Sequence, residues 1–406
     1  MTQLDTNAAL ADLAVALPAD ALITDLDALE SDRTGGHGAP LAMVRPTSEA
    51  HVAAALRWAT RYRVPVVTIG NGSRLSGDVV TTGALIVSMT SMATIVIDHR
   101  NQIVVAQAGA PSVIVTDAVK EIGGFLPLST SDAATIGGDV ALDELGTSAA
   151  VVEMRVVLAD GTALRVAGPL LADGKVSLGA LFAGAAGLLG VITEITLFPY
   201  VAPECAVHAT FTDAIAAADA CVELAAARTG GAITLTRSPG GGSTVVLACD
   251  SAKDAPFVAD VYRALGATSV TTDDEVDATL PSGTTLPFAI SVPLTRFGEW
   301  FAGVAAVERE QGVAIAVVAQ PEDERLRPVV VHDRDDDPAI DAAYAALATL
   351  LDLAQALELE VSGEIRAPRT ARTWLAARLG DCVAETDQRM KLALDPLGLL
   401  NPGLVY

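Results

Sequence analysis

A run of eight residues, Gly70-Asn71-Gly72-Ser73-Arg74-Leu75-Ser76-Gly77, has the composition of a loop that wraps backbone N–H groups around an anion. Glycines let the main chain approach a ligand closely, with no side chain in the way. A short apolar run, Val64 to Ile69, leads into it and reads as a strand. Two familiar phosphate-binding patterns fail on spacing. A Walker loop needs Lys-Ser/Thr after its last glycine, and Gly77 is followed by Asp78. A dinucleotide fingerprint needs a third glycine where Leu75 stands, and the residues from Asp78 to Gly83 do not open a helix. On these residues alone, an anion cradle and a strand-to-strand turn with glycines at positive φ both stand.

Other chemistry-bearing residues are dispersed. His37, His51, His99, His208 and His332 do not cluster, and neither do Cys205, Cys221, Cys249 and Cys382. No C-x-x-C spacing occurs, so a zinc site is not expected, and the thiols read as reduced, small core residues of a cytosolic protein.

The chain has 406 residues, 51% hydrophobic and 19% charged, with a net charge of −24. That composition is globular, and the length suits two or three domains. So acidic a surface repels nucleic acid and anionic lipid, but a local nest of N–H donors can still hold an anionic cofactor. No segment reaches the ~20 apolar residues of a membrane span. The N-terminal stretch is acidic and lacks a basic n-region, so no secretory signal is expected; a cytoplasmic location follows.

The elements that would position the loop alternate. Residues 45–63 read as a helix capped by Thr47 or Ser48. Two β-rich runs around His99-Arg100-Asn101 read as a hairpin, a helix follows from Pro111, and "LPLSTSDAATIGGDVA" reads as a second loop. A further hairpin turns at Asp160-Gly161. From residue 203 the order becomes β-α-β-β-α-β, and residues 287–362 repeat it, which predicts a ferredoxin-like pair sharing one antiparallel sheet.

Several stretches, taken together from about residue 40 to 406, resemble the FAD-binding oxidoreductases of the vanillyl-alcohol-oxidase / p-cresol-methylhydroxylase type, in their glycolate oxidase and D-lactate dehydrogenase branch. Gly70 to Gly77 is similar to that family's pyrophosphate loop. Thr135-Ile136-Gly137-Gly138 is similar to its T-I-G-G element, Gly184 to Glu194 to its G-x-E-G-T-L-G-I-I-T-E run, and Asp395 to Gly403 to its D-P-x-G-I-L-N-P-G tail. The resemblance implies an α+β fold: a two-subdomain FAD-binding domain over 1–202, a ferredoxin-like substrate domain over 203–385, and a segment, 386–406, returning to the first. It implies noncovalent FAD. The implied cofactor-binding residues are Gly70, Asn71, Gly72, Ser73, Arg74, Leu75, Ser76, Gly77, Pro127, Thr135, Ile136, Gly137, Gly138, Ala141, Gly190, Val191, Ile192 and Asn401. The anion of the opening question would be the FAD pyrophosphate.

The catalytic signature departs from the family's. Two histidines of its H-A-G-D-G-N-L-H-P motif and the carboxylate of its S-G-E-H-G motif hold a divalent metal in many members. The matching positions here are Gln320, Arg327 and Glu364, and the following histidine, placed to take the hydroxyl proton, is Ile365. Gln is a poor metal ligand and Arg stays protonated, so no metal is expected. Arg325 or Arg327 would instead clamp a substrate carboxylate, with Glu364 orienting it; solvated strand-end arginines and a Glu364–Arg366 pair are the alternatives. Two family residues are also replaced by Ala186 and Leu188, and Asp139, Asp143 and Glu144 follow the T-I-G-G element, where they either sit near a flavin or face solvent. Three outcomes remain open at this stage: an oxidoreductase acting on a small hydroxy acid or alcohol, with a carrier protein, quinone or oxygen as electron acceptor; a non-catalytic FAD-binding subunit with a partner; or a flavin-free scaffold.

Overall fold

The computed structural model describes residues 3–25, 39–71, 82–129, 131–143, 146–169, 177–227, 231–273, 284–285, 288–321, 324–331, 337–363 and 381–402. The chain divides into two compact units, Met1–Val201 with Leu375–Tyr406, and Ala202–Trp374.

The first unit begins with α1 (Gln3–Val15), β1 (Leu22–Ile23), β2 (Ala42–Val44), α2 (Glu49–Tyr62), β3 (Val66–Ile69) and β4 (Leu85–Ser88). The strands form a sheet in the order β1-β2-β4-β3, with β4 parallel to both β2 and β3. The expected helix over 45–63 is α2. Ser48 caps it, accepting from the His51 N–H, and Arg63 closes it in the left-handed region at φ 53°. Its Val52, Leu56 and Ala59 sit on one buried stripe. Helix α1 packs on it: the Trp58 indole donates to Ala9 O at 2.6 Å, and Leu13 is fully buried. The acidic N-terminal stretch, considered above only as a signal, is thus a core helix.

Next come β5 (Ile95–Asp98), β6 (Ile103–Gln107), α3 (Ser112–Glu121), β7 (Gly124–Phe125), α4 (Ile136–Leu142), β8 (Val151–Val157), β9 (Ala163–Ala167), β10 (Val191–Leu197) and β11 (Tyr200–Val201). Strands β5-β6-β10-β8-β9 make an antiparallel sheet. Both expected hairpins are present. Asp98 Oδ1 accepts the N–H groups of Arg100 and Asn101, each at 3.0 Å, which forms the first turn. Gly161, at φ 80°, forms the second.

The second unit holds β12 (Cys205–Phe211), α5 (Ala214–Ala227), β13 (Ile233–Arg237), β14 (Ser243–Cys249), α6 (Ala255–Ala264) and β15 (Ser269–Asp273). It continues with β16 (Thr284–Thr285), β17 (Phe288–Ser291), α7 (Phe297–Gln311), β18 (Ala314–Gln320), β19 (Arg325–Val331), α8 (Asp337–Ala356) and β20 (Glu360–Gly363). Helix α9 (Asp381–Leu394) belongs to the first unit. The strand order is β15-β12-β14-β13-β18-β19-β17-β20, with β16 on β19. Each half reads fourth-first-third-second, and the halves meet edge to edge at β13 and β18, as the repeated β-α-β-β-α-β pattern predicts.

One buried ion pair joins the two halves beneath the sheet. Arg237 of β13, 1% exposed, donates to Glu308 of α7 at 2.5 Å and to Ile315 O at 2.8 Å. Glu308 also accepts from Ile315 N at 2.9 Å. Leaving one member unpaired costs roughly 3–5 kcal/mol.

Candidate functional site

Strand β3 delivers the main chain to Gly70. A Cβ there would lie 2.3 Å from Thr135 Oγ1. The first glycine of the opening motif therefore presses on the first residue of the T-I-G-G element, and only a residue without a side chain fits. Asn71, next along, is exposed; Gly72, Ser73, Arg74, Leu75, Ser76 and Gly77 lie outside the described residues.

The T-I-G-G element corrects an expectation: it opens helix α4 and is not part of a loop. Thr135 is the extended N-cap, and its hydroxyl accepts from Gly138 N at 3.4 Å. Gly137 is glycine because a Cβ would lie 2.6 Å from both Cβ and O of Ala108, which is close packing rather than turn geometry. The N–H groups of Ile136 and Gly137 donate to Ala110 O at 2.9 Å and Ala108 O at 2.8 Å. The element stitches α4 to the end of β6.

The other end of α4 is closed by the Gly184–Gly190 turn. Gly184 N donates to Val140 O at 3.0 Å, and Ala186 N donates to Ala141 O at 2.8 Å. Gly184, Ala186 and Gly187 all have positive φ. Gly190 packs on β8, with Val156 Cγ1 2.7 Å from where its Cβ would be, and Val191 and Ile192 are buried in β10. Asn401 joins this turn to β3. Its Nδ2 donates to Ala186 O at 2.6 Å, its Oδ1 accepts from Thr68 N at 3.0 Å, and its own N–H donates to Val66 O at 2.7 Å.

Two of the acids near the T-I-G-G element are bonded within the protein. Asp139 is buried, and its Oδ2 accepts from Ser112 Oγ at 2.6 Å and Ser129 N at 3.2 Å. Asp143 accepts from both N and Oγ of Ser148, at 2.8 and 2.6 Å. Each carboxylate ties a connecting segment to α4, and Glu144 lies outside the described residues. Pro127 is partly buried, and its carbonyl accepts from Thr147 Oγ1 at 2.6 Å.

These residues fit a flavin nucleotide. Strand β3, the start of the glycine run, α4 and the positive-φ turn converge, with their backbones close together. Among the described residues Thr68 Oγ1, two residues before Gly70, has no hydrogen-bond partner although it is buried, an orphan polar atom at the foot of the glycine run.

In the second unit the register fixes a face. Arg237 points to α7 and pairs with Val317, which pairs with Pro328. The alternation then puts Gln320, Val318, Arg325 and Arg327 on the opposite face of the sheet. Gln320 is directly opposite Arg325, and Val318 opposite Arg327, so Gln320 and Arg327 are diagonal neighbours on one surface. Arg325 is exposed and Arg327 partly buried. Glu364 and His332 lie outside the described residues. Among the described residues no group of three His, Cys, Asp or Glu side chains gathers as a metal site. Cys205 and Cys249 face each other across β12 and β14, and burial beside Cys205 pushes the Cys249 thiol up to about 12, which makes it a poor nucleophile.

Sequence reasoning missed Asp139 as a brace and the Arg237–Glu308 pair. Their partners are distant in sequence, and no local spacing announces them. It also missed the Lys391–Asp395 pair of the C-terminal segment, whose i,i+4 spacing was the available signal.

Comparison with known proteins supplies the family context. Residues 40–167 match the model of an FAD binding domain, and residues 276–405 match that of the FAD linked oxidases, C-terminal domain. The chain is similar to a probable mitochondrial D-lactate dehydrogenase of Danio rerio, 23% identical over 90% of this chain and 84% of that one. It is also similar to glycolate oxidase subunit GlcD of Bacillus subtilis, 24% identical over 90% of this chain and 89% of that one. In fold it is similar to 4-ethylphenol oxidase from Gulosibacter chungangensis, with a TM-score of 0.77 at 15% identity, covering 100% of this chain and 97% of that one.

Proposed function

The chain belongs to the FAD linked oxidases, and from that premise we propose that it oxidises a small hydroxy acid or alcohol without the divalent metal of many relatives. FAD is its cofactor. When bound, the flavin supplies the acceptor for the substrate's hydride; a carrier protein, quinone or oxygen then takes the electrons.

The observation that carries the metal-free reading is the shared face of Gln320, Arg325 and Arg327 on β18 and β19. The residues matching the family's ligand positions include a permanent cation. Two guanidiniums spaced i,i+2 on a strand suit a carboxylate, because each fork can donate two N–H bonds to it. In this proposal Arg325 and Arg327 bind and orient the substrate carboxylate, and Glu364 orients its hydroxyl-bearing end. Positioning by charge replaces positioning by coordination. Gly70 to Gly77, Pro127, the Thr135–Gly138 element, Ala141 and Gly190 to Ile192 line the cofactor, noncovalently, within 1–202. The substrate residues lie within 203–385.

A second reading has its own support: one similar protein is named as a subunit, GlcD. In that case the chain binds FAD and works beside a partner. No helix among the described residues is long and apolar enough to cross a membrane, and we propose a cytoplasmic location.

The test is the visible spectrum of the purified protein under anaerobic addition of a panel of D-2-hydroxy acids. Bleaching of the flavin band by one of them supports the oxidoreductase. A yellow protein that none of them bleaches favours the subunit. A colourless protein that takes up no FAD contradicts both.

A further inference from the structure

The C-terminal segment carries a buried polar cluster for which the proposed chemistry has no use. Lys391 of α9 donates from Nζ to Leu188 O at 2.6 Å, Asp395 Oδ2 at 2.7 Å and Leu400 O at 2.9 Å. Asp395 is fully buried, and the same Oδ2 accepts the Leu400 N–H at 2.8 Å. Asn401 follows, left-handed at φ 45°, a conformation that Asn tolerates better than most residues. Its amide spans from Ala186 O to Thr68 N, 333 residues earlier in the chain. A Cβ on Gly187 would lie 2.7 Å from Asn401 Nδ2, so the turn is also pressed against the amide.

The pattern of these bonds is informative. Outside the cluster itself, they end on main-chain groups of only two segments, β3 just before Gly70 and the Gly184–Gly190 turn. Leu399 and Leu400 are already buried and could hold the tail down by apolar contact alone. The Lys–Asp pair, by contrast, supplies partners to three main-chain groups, Leu188 O, Leu400 O and Leu400 N. What it adds is fixed geometry: two segments from distant parts of the sequence are set in one register by groups that tolerate little displacement.

We propose that Lys391, Asp395 and Asn401 are positioning residues for the FAD site. They set the entry of the Gly70–Gly77 run against the Gly184–Gly190 turn, so that FAD affinity depends on the far end of the chain. This inference rests on the FAD reading given above.

The test uses the full chain in two variants. Asn401→Gly removes the amide and keeps the left-handed backbone. The double variant Lys391→Met/Asp395→Leu removes the buried pair, and because it also strips Leu188 O, Leu400 O and Leu400 N of their partners its melting temperature is expected to fall. FAD dissociation constants are measured by flavin fluorescence, together with the melting temperature of each apoprotein and the visible spectrum of the bound flavin. The proposal expects FAD affinity to fall at least tenfold in both, with an altered flavin band, at temperatures where the melting curve shows each variant folded. If the folded variants bind FAD with the wild-type constant and spectrum, the cluster is only a brace and the proposal falls. Wild type that binds no FAD overturns the FAD reading itself, which the variants' melting curves cannot do. Should Asn401→Gly not fold, the double variant decides.

Discussion

The two units use their motif residues in opposite ways. In the first, Thr135, Gly137, Gly190 and Asn401 fit the family pattern and are fixed by the main chain: each bonds or presses on a backbone from another segment. In the second, the matching positions Gln320 and Arg327 depart from the pattern, while the strands that carry them, β18 and β19, keep their place in the sheet. The proposed cofactor site is built from backbone that constrains residues by shape, so a change there disturbs folding. A strand face such as the one proposed to hold substrate can change its side chains without disturbing the strand. The comparison teaches where this chain is free to differ from its relatives.

Four experiments test that contrast. The largest expected effect is Arg237→Ala. It strands Glu308 beneath the sheet and is expected to cost about 3–5 kcal/mol, read by chemical denaturation as early unfolding of the second unit. Gly137→Ala comes next. Its methyl would meet Ala108 O at 2.6 Å, so we expect a loss of roughly 1–3 kcal/mol together with weaker FAD uptake, measured by melting and flavin fluorescence. An unchanged melting temperature would contradict the shape argument.

Arg325→Gln and Arg327→Gln test the freedom of the second unit. We expect melting temperature and flavin spectrum to stay at wild-type values while kcat/KM for the best hydroxy acid falls at least tenfold, the order of one lost charge-assisted contact. An equal loss on a substrate lacking a carboxylate would argue against the clamp.

The smallest effect is pH-dependent. Arg155 donates to Glu49 at 2.8 Å and holds its carboxyl below the usual 4.5. A depressed carboxylate stabilises the fold above its unfolded value, and that stability is lost as pH falls below about 4.5 through the folded value. Both side chains are partly exposed, so the contribution is at most about 1 kcal/mol. Glu49→Gln should flatten the acid limb of a stability–pH curve by that amount.

Much of the architecture was legible because its signals are local. Alternating strands such as Ile233–Arg237, the Asp98 and Asp160-Gly161 turns and the Ser48 cap each declare themselves within a few residues. The repeated β-α-β-β-α-β order then fixed the sheet. Helix α4 was not legible. Two glycines in its first turn mimic a loop, and the reason for one of them is Ala108, distant in sequence and pressed against Gly137. The same limit applies to Asn401. Nothing near it in sequence announces that its amide bonds the backbones of Thr68 and Ala186. Asp139, which sequence alone left between flavin and solvent, is buried against Ser112 and Ser129.

The central claim is oxidation of a hydroxy acid without a bound metal. The most direct measurement is anaerobic bleaching of the flavin band by the best hydroxy acid, before and after exhaustive treatment with a chelator. The account predicts equal rates of bleaching in both, with no gain on adding manganese or zinc. A rate that collapses on chelation and returns with either ion would contradict it.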